Sequence, residues 1–294
     1  MHDSSPLAGR TVVVTGAARG LGAALAHAFA ERGARLALLG LERQELEAVA
    51  ASLPPPVIAL EVDVTDFHAL ERAAGEVREK LGRPSVVVAN AGIAEGGPFA
   101  GSDPESWRRV IEVNLVGSAM TARAFLTDLL FTSGYFLQVA SLAALGTSPM
   151  MSAYCASKAG VESFAHALQA EVAHESVGVG IAYINWTDTD MVRDADNYPV
   201  LRELRAHMPA PARKVYPAEM VAERLVRAVE QRRTAVYVPR WLQLVQLGRA
   251  ALPPVVRRVS RRALPQLQAE RALPPTGLLG AGGVADEALR GRGA

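Results

Sequence analysis

Tyr154-Cys155-Ala156-Ser157-Lys158 sets a phenol and an ammonium at i and i+4, which on a helix puts them on one face a turn apart. A free tyrosine, with a pKa near 10, shuttles protons poorly at neutral pH unless a neighbouring cation favours the phenolate. Lys158 is the candidate cation, and each unit of lowering corresponds to about 1.4 kcal/mol of differential interaction. Ser141 precedes Tyr154 by thirteen residues, at the end of a strand-like run, where its hydroxyl can donate to a carbonyl oxygen as negative charge develops. This chemistry needs no metal. His2, His27, His68, His166, His174 and His207 form no ligand cluster in sequence, and Cys155 is the only cysteine, which rules out an intrachain disulfide and a Cys-rich metal site. Cys155 faces a different helical direction from Tyr154 and reads as a packing residue.

A second constellation lies near the amino end. Thr15-Gly16-Ala17-Ala18-Arg19-Gly20-Leu21-Gly22 follows a β-branched run directly and opens an Ala- and Leu-rich segment. A glycine-rich turn from strand to helix lets backbone approach a pyrophosphate closely, and the helix N-terminus offers unpaired N–H groups and a favourable dipole. The context makes a dinucleotide site the expectation here rather than a mere tight turn.

The elements that must position these groups alternate along the chain. Short apolar runs at 11–15, 35–39, 57–61, 85–89, 135–140, 178–184 and 235–238 read as strands covered on both faces. Between them, 20–32, 42–53, 66–81, 104–130, 152–175 and 217–231 read as helices, with Asp103 and Pro104 a suitable cap and first turn. The pattern predicts an α/β fold: one Rossmann-type, doubly wound domain with a mainly parallel seven-stranded sheet over 1–239, and a C-terminal helical extension over 240–294. The stretch 190–215 lacks clear periodicity and reads as a lid or binding loop. Beyond about residue 274 the Gly- and Ala-rich end reads as disordered.

These motifs together resemble the short-chain dehydrogenase/reductase family, whose TGxxxGxG element matches Gly16, Gly20 and Gly22, with Arg19 and Leu21 inside the same loop. The resemblance spans about residues 9–238. It implies that Asp63 hydrogen-bonds adenine, that Asn90-Ala91-Gly92 is the family's NAG element, and that Thr189 is its retained threonine after the sixth strand. It also implies a catalytic set of Asn114, Ser141, Tyr154 and Lys158, in which Asn114 holds a water on a proton relay and Lys158 also grips the nicotinamide ribose. The implied reaction is hydride transfer between a nicotinamide cofactor and a secondary alcohol or ketone, with Tyr154 as general acid or base. A catalytically silent, dinucleotide-sensing protein on the same fold is the alternative. One departure stands out: Asn185-Trp186 replaces the family's Pro-Gly pair.

Choice of cofactor depends on the end of the second strand, where an acid would accept from the ribose 2′-hydroxyl and repel a 2′-phosphate. Gly40 occupies that position, while Arg19 and Arg43 offer positive charge, so NADP(H) is expected ahead of NAD(H), with Glu42 either reaching the ribose, which would favour the latter, or simply capping the next helix. Met150, Met151, Trp186 and Met191 suggest a lipophilic substrate, or equally packing among themselves or against a partner. A homo-oligomer is expected.

Charge is divided unevenly. The 294-residue chain has a net charge of +1, yet the segment from Arg240 onward carries nine arginines against three acids, a net of +6, so the preceding part carries −5. No global basic field argues for nucleic acid. A basic amphipathic helix after Trp241 reads either as a peripheral contact with an anionic membrane or as a cover for the substrate cleft or an oligomer interface. With no signal-like or membrane-spanning run, a cytoplasmic protein is expected.

Overall fold

Val12 and Val14 of β1 (Thr11–Thr15) point to one side of the sheet and Val13 to the other, as a two-residue period requires, and all three are fully buried. A computed structural model describes residues 5–270 and 274–291 of the chain. β2 (Arg35–Gly40), β3 (Val57–Glu61), β4 (Pro84–Ala89), β5 (Tyr135–Val139), β6 (Gly178–Ile184) and β7 (Ala235–Val238) join β1 in one seven-stranded sheet ordered β3-β2-β1-β4-β5-β6-β7. Every pairing is parallel. The order reverses between β1 and β4, so their connections leave to opposite faces and open a crevice at the carboxyl ends of the strands.

Two apolar layers cover the sheet. On one face α1 (Gly20–Ala30) and α10 (Ala218–Glu230) bring Leu25, Phe29, Val221 and Leu225 onto Val12, Val14, Leu36 and Val86. On the other, α3 (Phe67–Leu81), α5 (Gly117–Thr132) and α7 (Ser152–Glu171) bring Val77, Phe125 and Val161 onto Val13, Val87 and Phe136. Each such buried side chain contributes about 1.5–3 kcal/mol, so the two layers hold the strand ends firmly in register. α2 (Arg43–Ala51) packs at the β2–β3 end through the buried Leu46.

The helix read at 104–130 is not continuous. α4 (Pro104–Ile111) begins as expected, with Asp103 accepting from Glu105 N and Ser106 N at 3.4 and 3.0 Å. A π-type turn over Glu112–Val116 then separates it from α5. Such widened turns interrupt the regular ladder and occur mostly where function needs a side chain re-aimed, and this one holds Asn114.

The irregular stretch after β6 contains two short helices, α8 (Asp190–Ala195) and α9 (Pro199–Ala206). After the four-residue α6 (Leu142–Leu145), α7 and β7 complete the body. Its extension comprises α11 (Leu242–Leu247), α12 (Leu252–Glu270) and α13 (Gly280–Gly291). The expected disorder beyond about residue 274 is corrected here: Asp286 of α13 is 1% exposed and pairs with Arg109 at 2.7 Å. Local composition could not show that contact, because its partner lies 177 positions away. Leu279 also joins Ala94, Ala195, Val200 and Leu201 in a third, smaller apolar cluster beside Tyr154.

Candidate active site

The crevice between β1 and β4 is closed at its floor by hydrogen bonds. Asn90 Nδ2 donates to Thr15 O at 3.0 Å and Gly16 O at 3.2 Å, while Asn90 N and Ala91 N donate to Thr15 Oγ1 at 3.0 and 3.1 Å. The backbones therefore approach so closely that side chains have no place. A Cβ at Gly16, whose φ is +63°, would stand 2.8 Å from Ala91 Cα, and one at Gly22 would overlap Gly16 O at 1.9 Å. Thr189 comes from the far end of β6 to lie against Gly20, where a Cβ would be 3.1 Å from Thr189 Cγ2.

A single cavity of about 1120 Å³ runs from this floor across the carboxyl ends of the strands. Gly16, Arg19, Gly20, Leu21, Gly22, Asn90, Ala91, Gly92, Ser141, Tyr154, Lys158 and Thr189 all border it. Asn114 and Asp63 do not. Asn114 is fully buried behind Gly92; its Oδ1 accepts from Ile93 N at 2.8 Å, and its Nδ2 donates to Ile93 O and Ser157 Oγ, both at 2.9 Å. The side chain is thus committed to holding the loop after β4. Asp63 stands after β3, where Oδ1 accepts from Thr65 N and Thr65 Oγ1 at 2.8 Å and Oδ2 accepts from Arg109 Nη2 at 2.7 Å. Burial pushes this carboxyl up, but the hydrogen bonds from Thr65 and Arg109 outweigh it and hold the pKa below the ordinary value.

At the reacting end, Ser141 caps α6 by accepting from Ala143 N at 3.1 Å. That bond uses the oxygen as acceptor and leaves the hydroxyl proton to donate towards Tyr154 or to a group in the cavity. Tyr154 and Lys158 lie on the inward face of α7, with Lys158 Nζ 5.7 Å from the phenol ring centroid and donating to Val139 O at 3.1 Å. The expected lowering of the phenol by Lys158 is not what this arrangement produces. Burial pushes the Tyr154 phenol up, partly countered by its hydrogen bond with Ser141, and burial alone pushes the Lys158 ammonium down to about 8. The buried site therefore disfavours both charged forms.

Several residues take roles that the sequence did not assign them. Thr15, read only as the start of the glycine motif, forms the hub of the floor. Asn185, read only as a departure from Pro-Gly, borders the cavity, and its buried Oδ1 has no partner, making it a waiting acceptor. Leu244, Val255, Val259, Ala263 and Leu267 of α11 and α12 wall the outer part of the cavity, a role their spacing allowed but did not fix. Of the four side chains expected to line it, Met151, Trp186 and Met191 do so, whereas Met150 packs in the small apolar cluster.

The two arginines expected to offer positive charge to a 2′-phosphate both pair with carboxylates. Arg43 turns away to Glu47, at 2.9 Å on the exposed face of α2. Arg19 faces three carboxylates: Glu42 at 2.6 Å, Asp190 at 3.5 Å and Glu45 at 3.6 Å.

Comparison with known proteins agrees with this architecture. The family described as short chain dehydrogenase matches residues 10–198. A meso-2,3-butanediol dehydrogenase from Serratia marcescens is 33% identical over 183 residues, covering 62% of this chain and 73% of that protein. A short chain dehydrogenase from Pseudocercospora fijiensis is 30% identical over 271 residues, covering 84% of this chain and 86% of that one. A short chain dehydrogenase/reductase from Burkholderia phymatum, crystallised in complex with NAD, superposes with a TM-score of 0.73 at 26% identity, over 82% of this chain and 93% of its own.

Lys158 offers a check on the site's electrostatics that does not depend on turnover. Its pKa falls from 10.5 to about 8 on folding, so between those values the folded protein binds fewer protons than the unfolded one. Stability should rise with pH through that window, at a limiting slope of about 1.4 kcal/mol per unit, and be unaffected by this group below it. Urea denaturation of the wild type and Lys158→Met between pH 7.5 and 10.5 should show that component in the wild type only; identical slopes would contradict it.

Proposed function

The chain belongs to the short chain dehydrogenase family and is an oxidoreductase acting on CH–OH groups with a nicotinamide dinucleotide; from that premise we propose that its substrate is a lipophilic secondary alcohol or ketone. The observation that carries this is the wall of the cavity beyond Tyr154, built almost wholly from apolar side chains of α11, α12 and the stretch after β6. A chain of apolar contacts of that extent favours substrates with a long or bulky hydrocarbon part, at about 25 cal/mol per Å² buried.

The residues present fit a dinucleotide. Gly16, Gly20 and Gly22 pack so closely against Ala91, Thr189 and Gly16 O that no Cβ fits, which leaves bare backbone and the N-terminus of α1 at the cavity edge for the pyrophosphate. Asp63, which follows β3 outside the cavity lining, is the acceptor proposed for adenine, and Lys158, Thr189 and the unpaired Asn185 Oδ1 border the cavity where the nicotinamide end would lie. Bound there, the nicotinamide supplies or accepts the hydride. Tyr154 Oη gives its proton to the carbonyl oxygen during reduction and takes one from the alcohol during oxidation, a role suited to a phenol that burial keeps protonated at rest. Ser141 Oγ donates a hydrogen bond to the same oxygen as charge develops. Asn114 fixes the loop carrying Gly92 behind Lys158.

For the cofactor, the arrangement supports NAD(H) over the NADP(H) expected from sequence. Three carboxylates around Arg19 leave a net negative surround, and Arg43 is turned away; both favour a ribose hydroxyl over a phosphate dianion. Melting temperatures with matched NADH and NADPH should rise more with NADH. A larger rise with NADPH would overturn this preference, and no rise with either would refute the dinucleotide site.

Initial rates over a series of methyl ketones of increasing chain length should climb with length in the wild type, and Tyr154→Phe should lower them about 10²- to 10⁴-fold without loss of folding. Indifference to length would refute the lipophilic reading, and retained turnover in the variant would refute the role of Tyr154.

α12 has a second face. Arg257, Arg258, Arg261 and Arg262 lie exposed, without an acid partner among the described residues, while Leu252, Val255, Val256, Val259 and Ala263 border the cavity. Among the described residues no helix is long and apolar enough to cross a membrane. The proposed role of the arginine face is peripheral contact with anionic lipid, from which an apolar substrate would enter. Sedimentation with phosphatidylserine vesicles should exceed that with phosphatidylcholine, fall with salt, and be lost when all four arginines become glutamine; equal sedimentation throughout would refute it.

A further inference from the structure

The segment 274–291 is pinned to the site at several points. Thr276 N donates to Gly96 O and Leu279 N to Ala94 O, both at 2.8 Å, so the chain runs beside the loop that follows Gly92. Gly280 N donates to Asp194 Oδ2 of α8, also at 2.8 Å. Further along, Asp286 takes the guanidinium of Arg109: Nε lies 2.9 and 3.0 Å from its two oxygens, and Nη2 lies 2.7 Å from Oδ1. The same Nη2 donates to Asp63 Oδ2 at 2.7 Å, and Nη1 donates to Thr65 Oγ1 at 2.9 Å. One buried cation therefore joins the C-terminal helix to Asp63, the acceptor proposed for adenine.

We infer that Arg109 is a positioning residue for the dinucleotide, through which docking of α13 keeps the Asp63 carboxylate available to the adenine amine. This rests on the reading of Asp63 given under the proposed function. The physical argument concerns how the guanidinium shares its donors. Asp286 occupies the Nε–Nη2 edge, so Asp63 receives only a single N–H from Arg109 and retains acceptor capacity beyond the bonds from Thr65. With Asp286 neutralised, its hold on that edge weakens and the fork turns onto Asp63, which at 2.7 Å is nearer than Glu112 at 3.7 Å, engaging both oxygens. The acceptor for adenine is then lost. A lysine at 109 keeps the charge but cannot span two carboxylates with a planar fork, so it leaves Asp63 unaligned.

The experiment is titration of the full-length protein with NAD and with nicotinamide mononucleotide, which lacks the adenine. Asp286→Asn and Arg109→Lys should each weaken NAD binding roughly tenfold and leave the mononucleotide unchanged, and Asp286→Glu should restore much of the loss. In an Asp63→Ala background, which alone should weaken NAD and not the mononucleotide, Asp286→Asn should have no further effect. Equal weakening of both ligands would mark a merely structural role and overturn the inference, as would no weakening of either or full additivity with Asp63→Ala. If Asp63→Ala itself leaves NAD binding intact, the adenine reading of Asp63 fails and the inference falls with it; the single variant separates that outcome from a failure of the relay alone. Circular dichroism and urea midpoints identify any variant that does not fold, and Arg109→Lys then carries the test should Asp286→Asn be lost.

Discussion

Where β1 and β4 part to opposite faces of the sheet, their backbones come within a hydrogen bond of one side chain, Asn90, which ties Thr15 O and Gly16 O together. The rest of the site is arranged around that contact. It forces glycine at Gly16 and Gly22, since either Cβ would collide with backbone, and thereby brings bare backbone to the cavity edge at the N-terminus of α1. It also sets the height of Gly92, against which Asn114 Oδ1 and Lys158 Nζ stand 3.2 and 3.7 Å from where a Cβ would lie. Leaving one of these buried carbonyls without a donor would cost about 1–3 kcal/mol, so the floor is stiff as well as close.

The C-terminal extension is fastened by charge inside the protein. Glu162 of α7, 3% exposed, accepts from Tyr183 Oη at 2.7 Å and from Arg249 Nη1 at 2.8 Å, which draws the start of the basic extension onto the helix that carries Tyr154 and Lys158. Arg109 and Asp286 perform the equivalent task at its far end. Breaking such a pair leaves an uncompensated buried charge, at about 3–5 kcal/mol, so these contacts specify where the extension lies even if they add little net stability. Between the two anchors, α12 lays its apolar side chains along the cavity. The extension is part of the site, not an appendage to it.

Burial does two things at the reacting end. It lowers the local polarity around Ser141 and Tyr154, which strengthens any hydrogen bond made to a developing oxyanion. It also pushes the phenol up and the ammonium down, opposite to what a simple Tyr–Lys pairing would give. Separation explains the difference. With Nζ drawn to Val139 O, the lysine stands 5.7 Å from the ring centroid, and desolvation outweighs its field on the phenol.

Local pattern determined much of this protein. The strands follow from alternating and continuous apolar runs, the start of α4 from Asp103 and Pro104, and the dinucleotide crevice from Gly16, Gly20 and Gly22 after a strand. The i, i+4 spacing of Tyr154 and Lys158 was enough to place both on one face of α7, because helical period is a property of neighbouring residues. What only tertiary structure decided involves partners distant in the chain. The π-type turn at Asn114 answers to Ile93 and Ser157, the pairing of Arg19 with Glu42 and Asp190 sets the charge beside the glycine loop, and α13 is held by Arg109 rather than by its own Gly- and Ala-rich composition. Buried charges and close backbone contacts are satisfied by whichever group the fold brings near, and no local period encodes which group that is.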